Sequence, residues 1–425
     1  FAMMHRQRVL YHRQPGATNK GRHVLSTILL LLALIVVQIE SLASDGGPAG
    51  SSMSKNRLWD RRHVLGSAAA AGLVLPGFGG HLPRAEAAVD KGEFLTLSHT
   101  TKRGSPVRVP CVGYSFYKTD SAMVGRCLNL ALAAGVRHLD VATLYNSNAQ
   151  IGAALQKYLE TGLIPLEPAK KGDDPPPPKQ VRGNSQRRRQ QLFISHKLSN
   201  MEQFLDRVNV KASVKSEMEK LGVSYLDLCS IHSPLTDSKR RMATYEALLE
   251  LQQEGLVQAV GVCNYGVGPL NEIISAGLPP PSVNQLELSP FNQHKDVAQW
   301  AKEHDTVVSC GAYSKLSGVS GPQEGWPVLA DIAKKRGVTK AQILVRWSLQ
   351  KGFVCVPRSG AGSKAERIAI AENSYAGCKT FVLSEDEMTS LDMLDEGLKA
   401  GKLGRRDGWG DQDVTGDDWE PTNFI

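Results

Sequence analysis

From residue 109 onward the chain alternates short apolar runs with segments of helical spacing, and it does so eight times. No other feature narrows the possible folds as far. A short apolar run followed by an amphipathic helix is the repeating unit of a parallel sheet covered by helices. The runs fall at 109–115, 136–141, 192–195, 225–231, 259–263, 283–288, 307–313 and 353–356. Helical spacing follows at 119–134, 148–160, 204–221, 241–254, 268–276, 295–304, 326–336 with 340–350, and 363–374 with 385–395. Gly135, Gly222, Gly255 and Gly277 each stand where a helix must stop. Eight such units in about 290 residues fit a closed (β/α)8 barrel, whose usual size is about 250 residues. The alternative is a doubly wound open sheet, but no Gly-x-Gly-x-x-Gly follows the first strand. Residues 93–97 and 106–110 flank a polar turn containing Lys102, Arg103, Gly104 and Ser105 and read as a β-hairpin ahead of the barrel. The expected fold is therefore α/β, a (β/α)8 TIM barrel with an N-terminal β-hairpin.

The formal charge of +8 invites a nucleic-acid partner until it is located. Residues 1–87 hold ten Lys/Arg against four Asp/Glu, and residues 161–190 hold seven against three, so those two segments carry +10 and the rest carries −2. The body has no basic bias, which argues against nucleic acid. The seven cysteines form no CxxC pair and no metal spacing, and five lie in runs read as strands, where they serve as small buried hydrophobes. No metal site is expected.

Residues 1–87 read as a targeting leader. Arg6, Arg8, Arg13, Lys20 and Arg22 precede an apolar run over 24–39, and Ser41-Leu42-Ala43 follows as a small-residue cleavage site. Arg61-Arg62, an apolar segment over 64–75 and Ala85-Glu86-Ala87 then repeat the order of a twin-arginine signal, with a Ser/Gly-rich, acid-poor stretch over 44–54 between the two. This tandem resembles the leader of plastid proteins in algae with complex plastids, and implies a plastid destination, the thylakoid lumen in particular. The alternative is the secretory pathway or a membrane anchor through 24–39, a run short for a span of about 20 residues. The mature chain is expected to begin near Ala88 and to have no stable membrane insertion. Residues 161–190, with four consecutive prolines (175–178) and Arg187-Arg188-Arg189, read as a mobile insertion with a solvated basic run. Residues 401–425 read as a polar tail whose Trp409, Trp419 and Phe424 fold back over a surface.

In a barrel, residues at the C-terminal ends of the strands converge on one face. Those positions hold Asp140 and Tyr145 after the second strand, Lys197 after the third and His232 after the fourth. The fifth ends in Cys263-Asn264, the sixth carries Gln285, the seventh ends in Tyr313-Ser314 and the eighth in Arg358-Ser359. A phenol with a pKa near about 10 donates a proton poorly at neutral pH until a cation lowers it. Lys197 can supply that cation, Asp140 can hold Lys197, and His232 can orient a carbonyl oxygen by hydrogen bonding.

These stretches resemble the aldo-keto reductases. The matching segments are 135–145, 192–198, 227–232, 260–265, 284–290, 312–316 and 356–373, and the resemblance runs from about residue 93 to about residue 394. It implies that Tyr145 is the general acid in NADPH-dependent reduction of aldehydes or ketones, tuned by Lys197 and Asp140, with His232 orienting the substrate. It implies that Asn264 and Gln285 bind the nicotinamide carboxamide and that Tyr313 stacks on its ring, with Ser314 and Leu316 on the same cofactor-binding loop. Arg358 and Ser359 stand at the usual phosphate-binding pair, and Arg367, Glu372 and Asn373 on the adenosine side.

Several positions depart from the family. Cys263 replaces the usual Ser, which weakens a hydrogen bond to the cofactor. Arg367 lies five residues before Glu372 instead of three, a turn of about 200° on a helix, so Lys364 or Arg358 is expected to share its work. The basic residues favour a 2′-phosphate and hence NADP over NAD. Tyr117 keeps an aromatic wall on the substrate pocket, and Ser233 replaces a Trp common after the tetrad His. A small-molecule carbonyl substrate and a monomer or weak oligomer are implied. The second reading is a cofactor-holding regulatory subunit like the potassium-channel β subunits.

Overall fold

The computed structural model describes residues 93–100, 106–167, 174–234, 237–311, 327–358 and 369–395. The leader expected over 1–87 and the tail expected over 401–425 lie outside these residues. Strands β1 (Phe94–Thr96) and β2 (Arg108–Pro110) pair antiparallel, with Phe94 opposite Pro110. They are the expected hairpin. Then come β3 (Gly113–Ser115), β4 (His138–Ala142), the short pair β5 (Leu163–Ile164) and β6 (Lys179–Gln180), β7 (Phe193–Leu198) and β8 (Leu226–Ile231). β9 (Val257–Cys263), β10 (Val283–Glu287), β11 (Val307–Gly311) and β12 (Val354–Cys355) complete the set.

Apart from the hairpin and the β5–β6 pair, these strands form one eight-stranded sheet in sequence order, and its ladders are all parallel. A parallel bridge between Val112 and Cys355 joins its two edge strands. The Cys355 N–H donates to the Cys111 carbonyl at 2.8 Å and the Ser115 N–H to the Pro357 carbonyl at 3.3 Å. The sheet closes on itself as a (β/α)8 barrel, which removes the edges an open parallel sheet would leave unpaired.

Helices α1 (Val124–Ala133), α2 (Asn148–Thr161), α3 (Ser185–Gln190), α4 (Arg207–Leu221), α5 (Ser238–Gln253), α6 (Val267–Ser275) and α7 (Lys295–Glu303) precede β11. α8 (Pro327–Arg336), α9 (Lys340–Gln350), α10 (Tyr375–Cys378) and α11 (Glu385–Asp392) follow it. Their starts are chemically marked. Asp206, Asp237, Thr339 and Ser384 accept hydrogen bonds from first-turn N–H groups, and Thr339/Gln342 and Ser384/Glu387 form reciprocal capping boxes. Glycines in the left-handed region follow α2 and α4, Gly162 at φ 67° and Gly222 at φ 66°.

The main core lies between the sheet and the helices and includes Leu139, Val141, Ile194, Leu198, Cys229, Ile231, Val260 and Val262 from alternate strand positions. A second cluster fills the N-terminal end of the barrel interior. There Phe193, Leu228, Ala259, Val283 and Val354 meet Leu97, Val107 and Val109 of the hairpin segment, so the hairpin plugs the floor. The cysteines are all buried and none forms a disulfide.

Two expectations are corrected. The third barrel strand runs to Leu198, beyond the expected end at 195, so Lys197 stands inside a strand and not after it. Residues 161–190 are not simply a mobile loop with a solvated basic run. They contain the β5–β6 pair and α3, whose Asn184 side chain accepts from the Arg187 N–H. Arg188 and Arg189 are buried. Arg188 donates to the carbonyls of Leu159, Glu160 and Val181. Arg189 pairs with Asp227 at 2.8 Å, donates to the carbonyls of Leu192 and Tyr225, and lies 3.9 Å over the Tyr225 ring. Their charges are satisfied by acceptors on distant parts of the chain, which local composition does not reveal.

Gly152 marks a close approach of α2 to the end of α4. A Cβ there would overlap the Lys220 carbonyl oxygen and the Leu221 backbone, whereas one at Gly125 would make an ordinary 3.7 Å contact with Ala154. Alanine normally favours a helix over glycine by about 1 kcal/mol. Gly152→Ala is nevertheless expected to destabilise by about 2 kcal/mol through overpacking, and Gly125→Ala to be neutral or slightly stabilising. Thermal unfolding of the two variants checks this, and equal melting temperatures would contradict the packing.

Candidate active site

The period of two along each strand puts His138, Asp140 and Ala142 of β4 inside the barrel, with Ser195 and Lys197 of β7 and Ser230 of β8. The parallel register sets Ser115 beside Asp140, Asp140 beside Ser195, and Lys197 beside Ser230. The interior thus passes from an apolar floor to a polar upper layer. Lys197 Nζ donates to Asp140 Oδ1 at 2.5 Å, and both side chains are almost wholly buried. Ser195 Oγ donates to the same carboxylate oxygen at 3.1 Å, while Asp140 Oδ2 has no hydrogen-bond partner among the described residues.

Tyr145 ends a 3-10 turn, Thr143–Tyr145, closed by Asn146 at φ 50°. The turn leans on β7 through a 3.3 Å contact between Thr143 Oγ1 and His196 Nε2. It brings Tyr145 beside Lys197, whose ammonium lies 5.1 Å from the ring centre, and the side chains of Lys197 and Ser115 both favour the ionised phenol. His232 follows β8 directly, its ring centre 6.5 Å from that of Tyr145. Its N–H donates to the Leu198 carbonyl at 3.1 Å, and its Nδ1 has no partner among the described residues. Asp140, Tyr145, Lys197 and His232 are therefore brought together at one end of the barrel.

The electrostatics are less simple than a cation lowering a phenol. Burial pushes the Tyr145 hydroxyl up strongly, and the opposing pull of Lys197 only partly offsets it, so the net shift is upward. This corrects the expectation that Lys197 leaves the phenol with a lowered pKa. The phenol is instead held protonated throughout the neutral range. Burial also acts to discharge Lys197, but the charge of the Asp140 carboxylate and its hydrogen bond outweigh it, so the ammonium is retained. His232 is pushed down to about 3, by burial first and by Lys197 second, and is a neutral imidazole.

Cofactor candidates occupy the rim. Asn264, at φ 62°, donates its N–H to the Gln285 carbonyl at 2.9 Å and its side-chain amide to the His232 carbonyl at 2.9 Å. Cys263 Sγ lies 3.7 Å from Gln285 Oε1. Arg358 donates to the Lys118 carbonyl at 3.0 Å, which ties the end of the last strand to the segment beside Tyr117. Glu372 and Asn373 line a cleft of about 480 Å³ with Ala333, Val338, Thr339 and Ala341, a wall that strand-end reasoning missed. Tyr313, Ser314, Leu316, Ser359, Lys364 and Arg367 lie outside the described residues.

Of the two residues expected at a substrate pocket, Tyr117 meets the Tyr145 ring edge-on at 5.4 Å. Ser233 is buried, and its hydroxyl donates to Asn200 Oδ1 at 3.0 Å, so it does not present a hydroxyl. Ser115, Ser195 and His138 went unremarked in the sequence, although a strand period of two would have placed them on the same inner face. A cleft of about 1230 Å³ opens at the opposite end of the barrel, lined by Phe94, Arg108, Arg137, Tyr225 and Gln258 among others, and contains none of the four. Among the described residues no cluster of three or more His, Cys, Asp or Glu could hold a metal ion. No described helix is long and apolar enough to cross a membrane.

Residues 114–396 match the Aldo/keto reductase family. A methylglyoxal reductase of Salmonella typhimurium is 29% identical over 294 residues, covering 69% of this chain and 92% of that protein. A 9,11-endoperoxide prostaglandin H2 reductase of Trypanosoma cruzi is 29% identical over 299 residues, covering 69% and 91%. Among solved structures, an aldo/keto reductase from Brucella melitensis is 26% identical, with a TM-score of 0.55 over 71% of this chain and 100% of the other.

The buried imidazoles make the electrostatics testable without a substrate. His138 and His196 are each pushed down to about 4, by burial above all. Their folded values lie below the ordinary 6.5, so between pH 6.5 and about 4 the unfolded chain binds more protons and stability is lost as the pH falls. Each histidine adds a slope of at most about 1.4 kcal/mol per pH unit in that window and nothing above it. Urea unfolding between pH 5 and 7 is expected to show this, with a shallower slope in His196→Gln. An unchanged slope in that variant would contradict the shift.

Proposed function

The chain belongs to the aldo/keto reductase family and is an oxidoreductase, and on that footing we propose that it reduces the carbonyl of a small aldehyde or ketone to the alcohol with NADPH. The observation that carries this reading is Tyr145 set beside the Lys197 ammonium, 5.1 Å from its ring centre, with Asp140 holding that ammonium inside the barrel mouth. The ammonium can only donate to the phenol oxygen, and the Ser115 hydroxyl can do so as well. The phenol's own hydrogen is then available to a third acceptor, the substrate oxygen. His232, neutral and beside the ring, donates a hydrogen bond that fixes the direction of that oxygen.

A bound nicotinamide supplies the hydride that adds to the carbonyl carbon. The chain's residues supply the rest. As negative charge grows on the carbonyl oxygen, Tyr145 passes its proton to it, and Lys197 stabilises the tyrosinate left behind. The upward-shifted phenol is well suited to this role, because it is fully protonated before the reaction and is deprotonated only by a strongly basic alkoxide-like oxygen. Hydride, proton and carbonyl balance to an alcohol, with no covalent attachment to the protein.

We assign the cofactor to the same residues. Asn264, just past β9, and Gln285, inside the adjacent β10, carry amides suited to a carboxamide, and the cleft at Glu372 and Asn373 supports a site for the adenosine. NADP is preferred to NAD because Arg358, Lys364 and Arg367 cluster in sequence where a 2′-phosphate is met. Methylglyoxal, named in a relative 29% identical over 294 residues, is a suitable first substrate to try. We read residues 1–87 as an address to the plastid, supported by the order of basic, apolar and small-residue segments in that stretch.

An aldehyde and ketone panel with NADPH and with NADH tests the reading. Turnover is expected with NADPH, and Tyr145→Phe should lower kcat by about 10²-fold or more. No turnover above that of Tyr145→Phe would sink the enzyme reading and leave the cofactor-holding regulatory subunit.

A further inference from the structure

Two groups in the polar layer beneath the acid have no part in the proposed reaction. His138 is buried on β4, its Nδ1 lying 3.3 Å from the Pro110 carbonyl and its Nε2 3.0 Å from Ser195 Oγ. Ser195 Oγ lies 3.1 Å from Asp140 Oδ1. The ring is fixed in place, since Phe193 meets it edge-on at 4.9 Å and even a Cβ on Gly113 would come within 2.8 Å of it. The charged groups facing it are Asp140 on its own strand and Lys197 on β7.

A proton count shows what this chain can do. Three contacts run from the Pro110 carbonyl through His138 and Ser195 to Asp140, and each needs one hydrogen. The carbonyl and the carboxylate bring none, a neutral imidazole brings one and the serine hydroxyl brings one, so the chain is one proton short. With Nδ1–H on Pro110, the serine either donates back to Nε2 or donates to Asp140 and leaves Nε2 bare; with Nε2–H on Ser195, the hydroxyl is released to donate to Asp140. A hydrogen bond to a charge is about twice as strong as one between neutral groups, which favours a serine that serves Asp140 over one that serves Nε2 or the Leu139 carbonyl at 3.4 Å. Of the two arrangements that do so, the Nε2–H form keeps the 3.0 Å contact with Ser195 and gives up the longer 3.3 Å contact with Pro110.

We propose that Ser195 is a positioning residue for the acid, its hydroxyl directed onto Asp140 by the Nε2–H tautomer of His138. The proposal rests on the reading of Tyr145 as proton donor. Ser195 takes up part of the Asp140 charge on the oxygen that also binds Lys197. Asp140 therefore restrains the ammonium without cancelling its field at the phenol. Pro110 belongs to β2, so the chain runs from the hairpin at the floor to the reacting hydroxyl at the mouth.

The test joins a spectroscopic reading with a kinetic one. Long-range ¹H–¹⁵N spectra of histidine-labelled protein, with His138 assigned from its loss in His138→Gln, report the tautomer directly. The wild type is expected to show Nε2–H. In Ser195→Val only the Pro110 carbonyl remains as an acceptor, so the signal should switch to Nδ1–H. The same variant should lower kcat about tenfold with KM unchanged, and the alkaline limb of its pH–rate profile should move upward, because the phenol loses part of its help from Lys197. Ser195→Thr, which keeps the hydroxyl, should restore both readings. Nδ1–H in the wild type, or an unchanged kcat in Ser195→Val, overturns the proposal. If the wild type turns over no carbonyl, the reductase reading falls, while the tautomer switch still stands or fails by itself.

Discussion

The buried ion pair between Lys197 and Asp140 is the interaction on which the rest of the site depends. Two charges inside a barrel cost several kcal/mol each to desolvate, and removing one partner leaves the other uncompensated at a cost of about 3–5 kcal/mol. The fold meets this cost with geometry. β4 and β7 are adjacent and parallel, and their register sets Asp140 beside Ser195, one inward step below Lys197. The pair is useful because it does not fully satisfy either member. The Lys197 ammonium still lies 5.1 Å from the centre of the Tyr145 ring, and Asp140 takes a second hydrogen bond from Ser195.

The same arrangement explains why the two ends of the barrel differ. Below, the hairpin side chains Leu97, Val107 and Val109 seal an apolar floor against Phe193, Leu228, Ala259 and Val283. Above, small and polar residues replace large ones, and the interior becomes a place where a proton can be held. The floor excludes water from beneath the ion pair, which keeps the local dielectric low and makes each hydrogen bond there count for more. The hairpin is thus part of the electrostatics of the site although it lies at the opposite end of the barrel.

The barrel was legible because its signal is long and periodic: eight units, with glycines placed to end several of the helices. Asp140, Tyr145, Lys197 and His232 were legible because each stands at or near a strand end in consecutive units. What could not be read depends on contacts between residues far apart in sequence. Arg188 and Arg189 look like a solvated basic run until Asp227 and the carbonyls of Leu159 and Leu192 are found around them. The direction of the Tyr145 shift was misjudged because a neighbouring cation can be inferred from sequence, whereas the depth of burial that opposes it cannot. The His138–Ser195 contact joins residues 57 positions apart, and only the strand register brings them together.

The central claim is that Lys197 acts on the reaction through the Tyr145 hydroxyl and not by touching the substrate itself. A double-mutant cycle of single-turnover carbonyl reduction, with Tyr145→Phe, Lys197→Met and the pair combined, tests this directly. Each single variant should be slow, and the double variant should be no slower than Tyr145→Phe, because removing the phenol removes the route by which Lys197 contributes. If the two losses multiplied in the double variant, Lys197 would be acting by a route that bypasses the phenol, and the claim would be wrong.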